Sequence, residues 1–432
     1  MLIPLVAATS ATCGHKASAL AALLQAGLPV PDGVVIPFSA ASGARPGGVE
    51  VDELRRWLVE MGDPVVAVRS SASDEDGGGV SAAGRYDSFL GVQGLDAVVD
   101  AVRACRASLW SARATAYRKA PGEPSMAVIV QLQVDADVSG VMFTPTSPSA
   151  PTLIESSWGL GPTVVEGRQT PDRYQVLGDT VTSTIADKPT SLTVTGPTPV
   201  PTAKRRTPTL TTATAHHLAA LAHQTATLFG TPQDIEWAIA DTKTWLLQSR
   251  PITAHPPTPT KPPNVHAVTS STPTAPPTCP APPQPPTVPA AATLTKPPQT
   301  PTGPWAAGTL TEPPQAPTGS RAAVLTGISA SQGTATGPAR IVRGPADFLD
   351  VHPGDILVCP HTDPAWTPLL AIAAGVITES GGVLSHAAIV AREQSIPAVV
   401  AVPQATTRIP AGAHITLNGT TGAVHVKRAE QT

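Results

Sequence analysis

Apolar positions along the chain fall into runs of two kinds. Short β-branched runs bounded by Gly, Pro or Asp predict strands at Val34–Ile36, Val65–Val68, Met126–Val134, Ser139–Thr144 and Ile154–Trp158. Asp234–Ala238 and Lys243–Leu247 predict a hairpin, which would set Glu236 and Gln248 on adjacent strands. Alanine- and leucine-rich runs predict helices over Ala17–Ala26, Leu95–Arg118 and Thr212–Phe229. Near the far end, Gly375–Thr378 reads as a buried strand and Gly381-Gly382 as a turn. The Ala/Ile/Val-rich run to Glu393 reads as a helix, closed off by Pro397. Ser385 falls at the N-cap of that helix, so His386 falls in its first turn.

Between residues 254 and 322 this periodicity stops, and Pro, Thr and Ala dominate. Such a segment cannot bury enough apolar surface to offset its ordering entropy, so a disordered, semi-stiff linker is expected. Fully extended it would reach on the order of 200 Å. The expected organisation is an α/β domain over 1–253, the linker over 254–322 and a small β/α domain over 323–428.

Composition narrows the picture. A net charge of −3 and a pI near 6.4 leave no electrostatic footprint for nucleic acid or an anionic membrane. The four cysteines (Cys13, Cys105, Cys279 and Cys359) form no Cys-x-x-Cys pair, so neither a disulfide framework nor a zinc site is expected. The first residues lack a basic region followed by a long apolar one, and no run approaches the roughly 18 apolar residues of a membrane span. A cytoplasmic setting is expected.

Candidate chemistry begins with His386. Unpaired N–H groups and the positive end of the dipole favour an anion at a helix start, so a histidine there can carry a phosphoryl group or serve as an anion-binding or structural residue. Lys16, after a glycine turn at a helix start, suits a phosphate contact, or is a solvated lysine. Arg69 ends a strand before a small-residue loop from Gly77 to Gly84. That arrangement suits a covered polyphosphate, or is a glycine-rich surface loop. Glu236 and Gln248 offer hard oxygens of the kind Mg²⁺ takes, or form an ordinary cross-strand pair.

A family resemblance connects these features. The stretches GHKASAL, VPDGVVI, VAVRSSASDED, SAAGRYDSFL, MAVIVQ, SGVMFTP, IESSWGLGPTVVEG, TPDRY, DIEWA and LQSRPIT run in the family order. They resemble the ATP-grasp-like nucleotide-binding domain of the phosphoenolpyruvate synthase/pyruvate phosphate dikinase superfamily, which includes rifampicin phosphotransferase. GDILVCPHTDPAWTPLL, GGVLSHAAIVARE and IPAVV resemble its swivelling phosphohistidine domain. The resemblance implies that Lys16, Arg69 and Arg250 hold ATP phosphates and that the loop ending at Gly84 closes over them. It further implies that Gln131 lies near the adenine, that Glu236 and Gln248 bind Mg²⁺, and that His386 takes the β-phosphate. His15, Ala82 and Leu384 depart from the residues usual at their positions; Leu384 stands where the synthases and dikinases usually have threonine. No stretch resembles an acceptor domain, so the implied activity is ATP-dependent phosphotransfer to a small molecule at the interdomain face. The alternative is a phosphohistidine carrier that serves a separate acceptor protein.

Overall fold

Period-two apolar runs give strands with two different faces, and the sheets assemble by burying both. The computed structural model describes residues 1–38, 48–75, 85–111, 114–115, 124–254, 256, 266–268 and 323–427. Met1–Thr269 and Ala322–Thr432 make up one unit; the other, Ser270–Arg321, lies outside the described residues.

The first sheet contains β1 (Ile3–Pro4), β2 (Gly33–Ile36), β3 (Val66–Ala72), β4 (Ser88–Val92) and β5 (Met126–Leu132), in the order β1-β2-β5-β3-β4 and antiparallel throughout. One face places Val34, Ile36, Val68, Val128 and Val130 against Leu54 and Leu58 of the helix Gly48–Glu60 and Val98 and Val102 of the helix Leu95–Ala107. On the other face, Val35 and Ile129 pack with Ala17 and Leu20 of the helix Ser10–Gln25. The expected Leu95–Arg118 helix ends at Ala107 and gives way to a 3₁₀ turn, Ser108–Trp110. Ser108 ends it: its hydroxyl donates to Cys105 O at 2.7 Å and accepts from Asp87 N at 3.1 Å, an alternative to continuing the helix.

The second sheet draws on β6 (Val138–Phe143), β7 (Thr152–Trp158), β8 (Asp172–Leu177) and β9 (Thr180–Thr184). A separate hairpin, β10 (Thr190–Thr193) and β11 (Gly196–Pro199), intervenes, and β12 (Gln233–Ala240), β13 (Lys243–Pro251) and β14 (His266–Val268) complete the sheet. Its order is β13-β12-β6-β7-β8-β9-β14. The helix Thr212–Phe229 covers it through Leu218, Leu221 and Ala222. Thr211 caps that helix by accepting from Thr214 N at 3.1 Å, and Gly230, at φ 68°, ends it. The expected linker lies almost wholly outside the described residues, but β14 falls within its range and pairs antiparallel with β9.

The last sheet is built from β15 (Ala323–Thr326), β16 (Ile328–Ser331), β17 (Thr334–Ile341), β18 (Ile356–Cys359), β19 (Gly375–Thr378), β20 (Ala398–Val400), β21 (His414–Asn418) and β22 (Ala423–Val426). Its order is β15-β22-β21-β17-β18-β19-β20-β16, with β17 to β20 parallel. β18, β19 and β20 are buried at every position, as parallel strands covered on both faces must be. The helix His386–Glu393 connects β19 to β20, so His386 starts just beyond the carboxyl end of a central strand, where open α/β sheets place ligands. The chain is thus α/β in both parts, and among the described residues no helix is long and apolar enough to cross a membrane.

One glycine marks how closely the second sheet is packed. A Cβ at Gly140 on β6 would lie 2.0 Å from Glu155 O and 2.7 Å from the Trp237 ring. Gly140→Ala should therefore lower unfolding stability by about 1–3 kcal/mol. Urea titration should show a lower midpoint at an unchanged m-value.

Candidate active site

A turn between two helical segments places Lys16. Gly14 has φ 77° and ψ 171°, which breaks the first helix, and a Cβ there would sit 2.6 Å from Ser71 O. Ser71 fastens the turn to β3: its hydroxyl donates to Cys13 O at 2.6 Å and accepts from Ala17 N at 3.1 Å. Lys16 Nζ then lies 2.8 Å from Glu75 Oε1 and 3.4 Å from Ser70 Oγ, nearly out of contact with water. Glu75 is also held locally, accepting from Ala72 N at 3.1 Å.

From the same strand, Arg69 reaches across to the second sheet. Its Nη1 donates to Leu247 O, and its Nη2 donates to Gln248 Oε1 at 2.8 Å and Glu236 Oε2 at 3.3 Å. Glu236 and Gln248 face each other in the β12–β13 register, as the hairpin reading expected, beside a bulge between Glu236 and Trp237. Their oxygens converge on one guanidinium nitrogen, so a cation already occupies the point between them. A carboxylate and an amide carbonyl are hard donors of the kind Mg²⁺ takes alongside water and phosphate oxygens, and this pair fits that ion. Two residues along β13, Arg250 donates from Nε at 2.9 Å and Nη2 at 2.7 Å to Asp234 Oδ2. Gln131, on β5, is buried and donates from Nε2 to Pro31 O at 2.9 Å. Gly84 and the loop before it lie outside the described residues.

His386 is only 2% exposed. Ser385 occupies the N-cap position as expected, but its hydroxyl donates to Gly382 O at 2.8 Å instead of capping the helix. Both ring nitrogens of His386 meet threonine hydroxyls: Nδ1 lies 2.8 Å from Thr362 Oγ1 and Nε2 lies 3.1 Å from Thr367 Oγ1. A hydroxyl can donate or accept, so either imidazole tautomer is satisfied and the ring plane is fixed. Asp363 sets the spacing of the two threonines by accepting from Ala365 N at 2.7 Å at the start of the turn Pro364–Trp366. His361, next to Thr362, is half-buried; burial, reinforced by Arg168, holds its imidazole below the usual histidine range against the pull of Glu166 and Asp363.

These groups share one cavity of about 360 Å³, lined by Lys16, Arg69, Gln131, Glu236, Gln248, Arg250 and His386. An apolar cluster closes it on the histidine side, where Val141, Phe143 and Val164 pack with Val383, Leu384 and Ile389. Leu384, which departs from the family's usual residue, is 1% exposed in that cluster. Ser380 Oγ adds a bond to Gly167 O at 2.7 Å. Sequence reasoning singled out these seven cavity-lining residues and missed Glu75, which also lines the cavity, and Thr362, Thr367 and Glu155, which bond to His386 or to the turn before it. HTDPAWT was a legible signal for the two threonines; nothing local marked Glu155.

The chain is similar to known proteins in both of its parts. Residues 49–268, about half of the chain, match the family described as pyruvate phosphate dikinase, AMP/ATP-binding domain, and residues 351–422 match PEP-utilising enzyme, mobile domain. The chain belongs to the pyruvate phosphate dikinase AMP/ATP-binding family. A probable phosphoenolpyruvate synthase of Methanothermobacter thermautotrophicus is 32% identical over 95% of this chain and 61% of its own length. The phosphoenolpyruvate synthase of Pyrococcus furiosus is 33% identical over 83% of this chain and 41% of its own. PigC of Serratia marcescens, a prodigiosin synthesizing transferase, is 38% identical over 56% and 31%. The chain thus spans less than two thirds of the length of each of these relatives, from 61% down to 31%.

The Lys16–Glu75 pair allows a direct test. Glu75→Leu should cost about 3–5 kcal/mol, because it leaves the Lys16 ammonium buried without its carboxylate. The double variant Lys16→Met/Glu75→Leu should recover much of that loss. Denaturant midpoints of the two variants check this, and additive losses would contradict it.

Proposed function

We propose that the chain is an ATP-dependent phosphotransferase in which His386 takes the β-phosphoryl group of ATP and passes it to a small-molecule hydroxyl or carboxylate. The observation that carries this reading is the single cavity lined by both His386 and the cationic cluster of Lys16, Arg69 and Arg250.

Each of those cations is held in place by an acid in this structure: Lys16 by Glu75, Arg69 by Glu236, and Arg250 by Asp234. Triphosphate oxygens would compete with these carboxylates for the same donors, so the cations already line the space that ATP would enter. Bound Mg²⁺, held by Glu236 and Gln248, would supply charge neutralisation on the phosphate oxygens. Arg69, displaced from those two residues, would turn to the phosphates. The reacting nitrogen of His386 must exchange its threonine hydroxyl for phosphorus, while the other hydroxyl keeps the ring aligned. A nitrogen–phosphorus bond forms, the bridge between the α- and β-phosphorus breaks, and AMP leaves. The γ-phosphoryl group is lost to water as phosphate, and the remaining phosphohistidine is the donor for the acceptor.

Incubation with Mg²⁺ and ATP labelled at the β-phosphorus tests this. Acid-labile label should appear on the wild type and be absent from His386→Ala. Arg69→Ala should slow labelling on the order of 10²-fold. Label that stays on the protein until a second protein is added would favour the carrier alternative. A wild type that neither takes label nor releases AMP would contradict the proposal.

A further inference from the structure

Glu155 sits in the middle of β7, is 1% exposed and belongs to the first part of the chain. Its carboxylate is spent on the second part. Oε1 accepts from Val383 N at 2.9 Å and Oε2 from Leu384 N at 3.0 Å, across more than two hundred residues of sequence. These are consecutive backbone N–H groups of the turn leading into the His386 helix, a two-pronged arrangement that fixes orientation as well as distance. Arg173 donates from Nε to Glu155 Oε1 at 3.2 Å. From the other side, Arg392 Nη1 donates to Val383 O at 2.8 Å and Ala330 O at 2.9 Å, so both backbone polar groups of Val383 are held. Burial pushes the Arg392 guanidinium down to about 10, which leaves it charged at neutral pH.

The approach is closer than any side chain on the turn would permit. A Cβ at Gly382 would lie 2.1 Å from Glu155 Oε2 and 2.4 Å from both Cδ and Oε1. Gly382 does not occupy the left-handed region, so its backbone would accept alanine and the obstacle is the carboxylate itself.

We propose that Glu155 is a positioning residue that clamps the histidine turn onto the nucleotide-side cavity, and that Gly382 is glycine to admit it. The clamp rests on the function proposed above for its purpose, since it sets where His386 waits relative to the cation cluster. Its existence can be tested without that function. Glu155 touches no reacting atom; it acts through the turn.

The experiment uses the full chain and two readouts. Amide hydrogen exchange should show Val383 and Leu384 losing protection in Glu155→Ala by roughly tenfold or more, with the central strands of the first sheet unchanged. Under single-turnover conditions with Mg²⁺ and β-labelled ATP, Glu155→Ala should slow labelling of His386 by about 10-fold or more, without weakening the binding of a fluorescent ATP analogue. Glu155→Gln, which keeps the volume and one acceptor oxygen, should fall between. Gly382→Ala should slow labelling strongly in the wild-type background and add almost nothing to Glu155→Ala, because the shortened side chain no longer obstructs it. Unchanged protection at the two amides in Glu155→Ala, or an undiminished Gly382→Ala penalty in that background, would overturn the clamp. A wild type that takes no label would remove the phosphotransfer reading, yet leave the exchange comparison to judge the clamp.

Discussion

Everything at this site depends on one contact: the histidine segment of the last sheet packed onto the second sheet through Val141, Phe143, Val164, Val383, Leu384 and Ile389. Without it, His386 and the cation cluster would belong to separate surfaces. Burying an aliphatic side chain of this size contributes about 1.5–3 kcal/mol. The covalent connection between the two parts removes much of the entropic cost that separate proteins would meet on associating. A small apolar patch is therefore enough to seat the histidine. Polar contacts then fix the register that apolar packing leaves loose, as Ser380 does at Gly167 and Thr253 does at Glu393.

Electrostatics inside the cavity follow from the same closure. Three cations kept from water would be costly if alone, and each has a carboxylate within 3.3 Å. The pairs keep the side chains extended toward a common space. Arg69 contributes most to this geometry, because it spans the two sheets and ties β3 to the β12–β13 hairpin.

Much of this was legible in the sequence where the cause is local. The hairpin that joins Glu236 to Gln248, the Thr212–Phe229 helix and the His386 helix start all follow from spacing, caps and turn residues. The Leu95 helix was overestimated because Ser108 diverts the backbone through a hydroxyl whose second partner, Asp87, lies 21 residues away. Strand order was not legible, since β12 pairs with β6 across a stretch that itself contains other strands. Thr362 and Thr367 acquire meaning only once β18 and β19 lie side by side, and Glu155 only once the two parts of the chain meet. Distance along the chain hid the partners of all three, and Glu155 carried no local signal either.

In the proposed reaction, nucleotide and histidine occupy one closed space. Hydrogen exchange with and without Mg²⁺ and the α,β-methylene analogue of ATP, whose bridge cannot be cleaved, tests it most directly. Joint protection of the Lys16 turn, β3, the β12–β13 hairpin and the segment from Glu379 to Glu393 is expected. Protection confined to the first three, with the histidine segment unchanged, would contradict it.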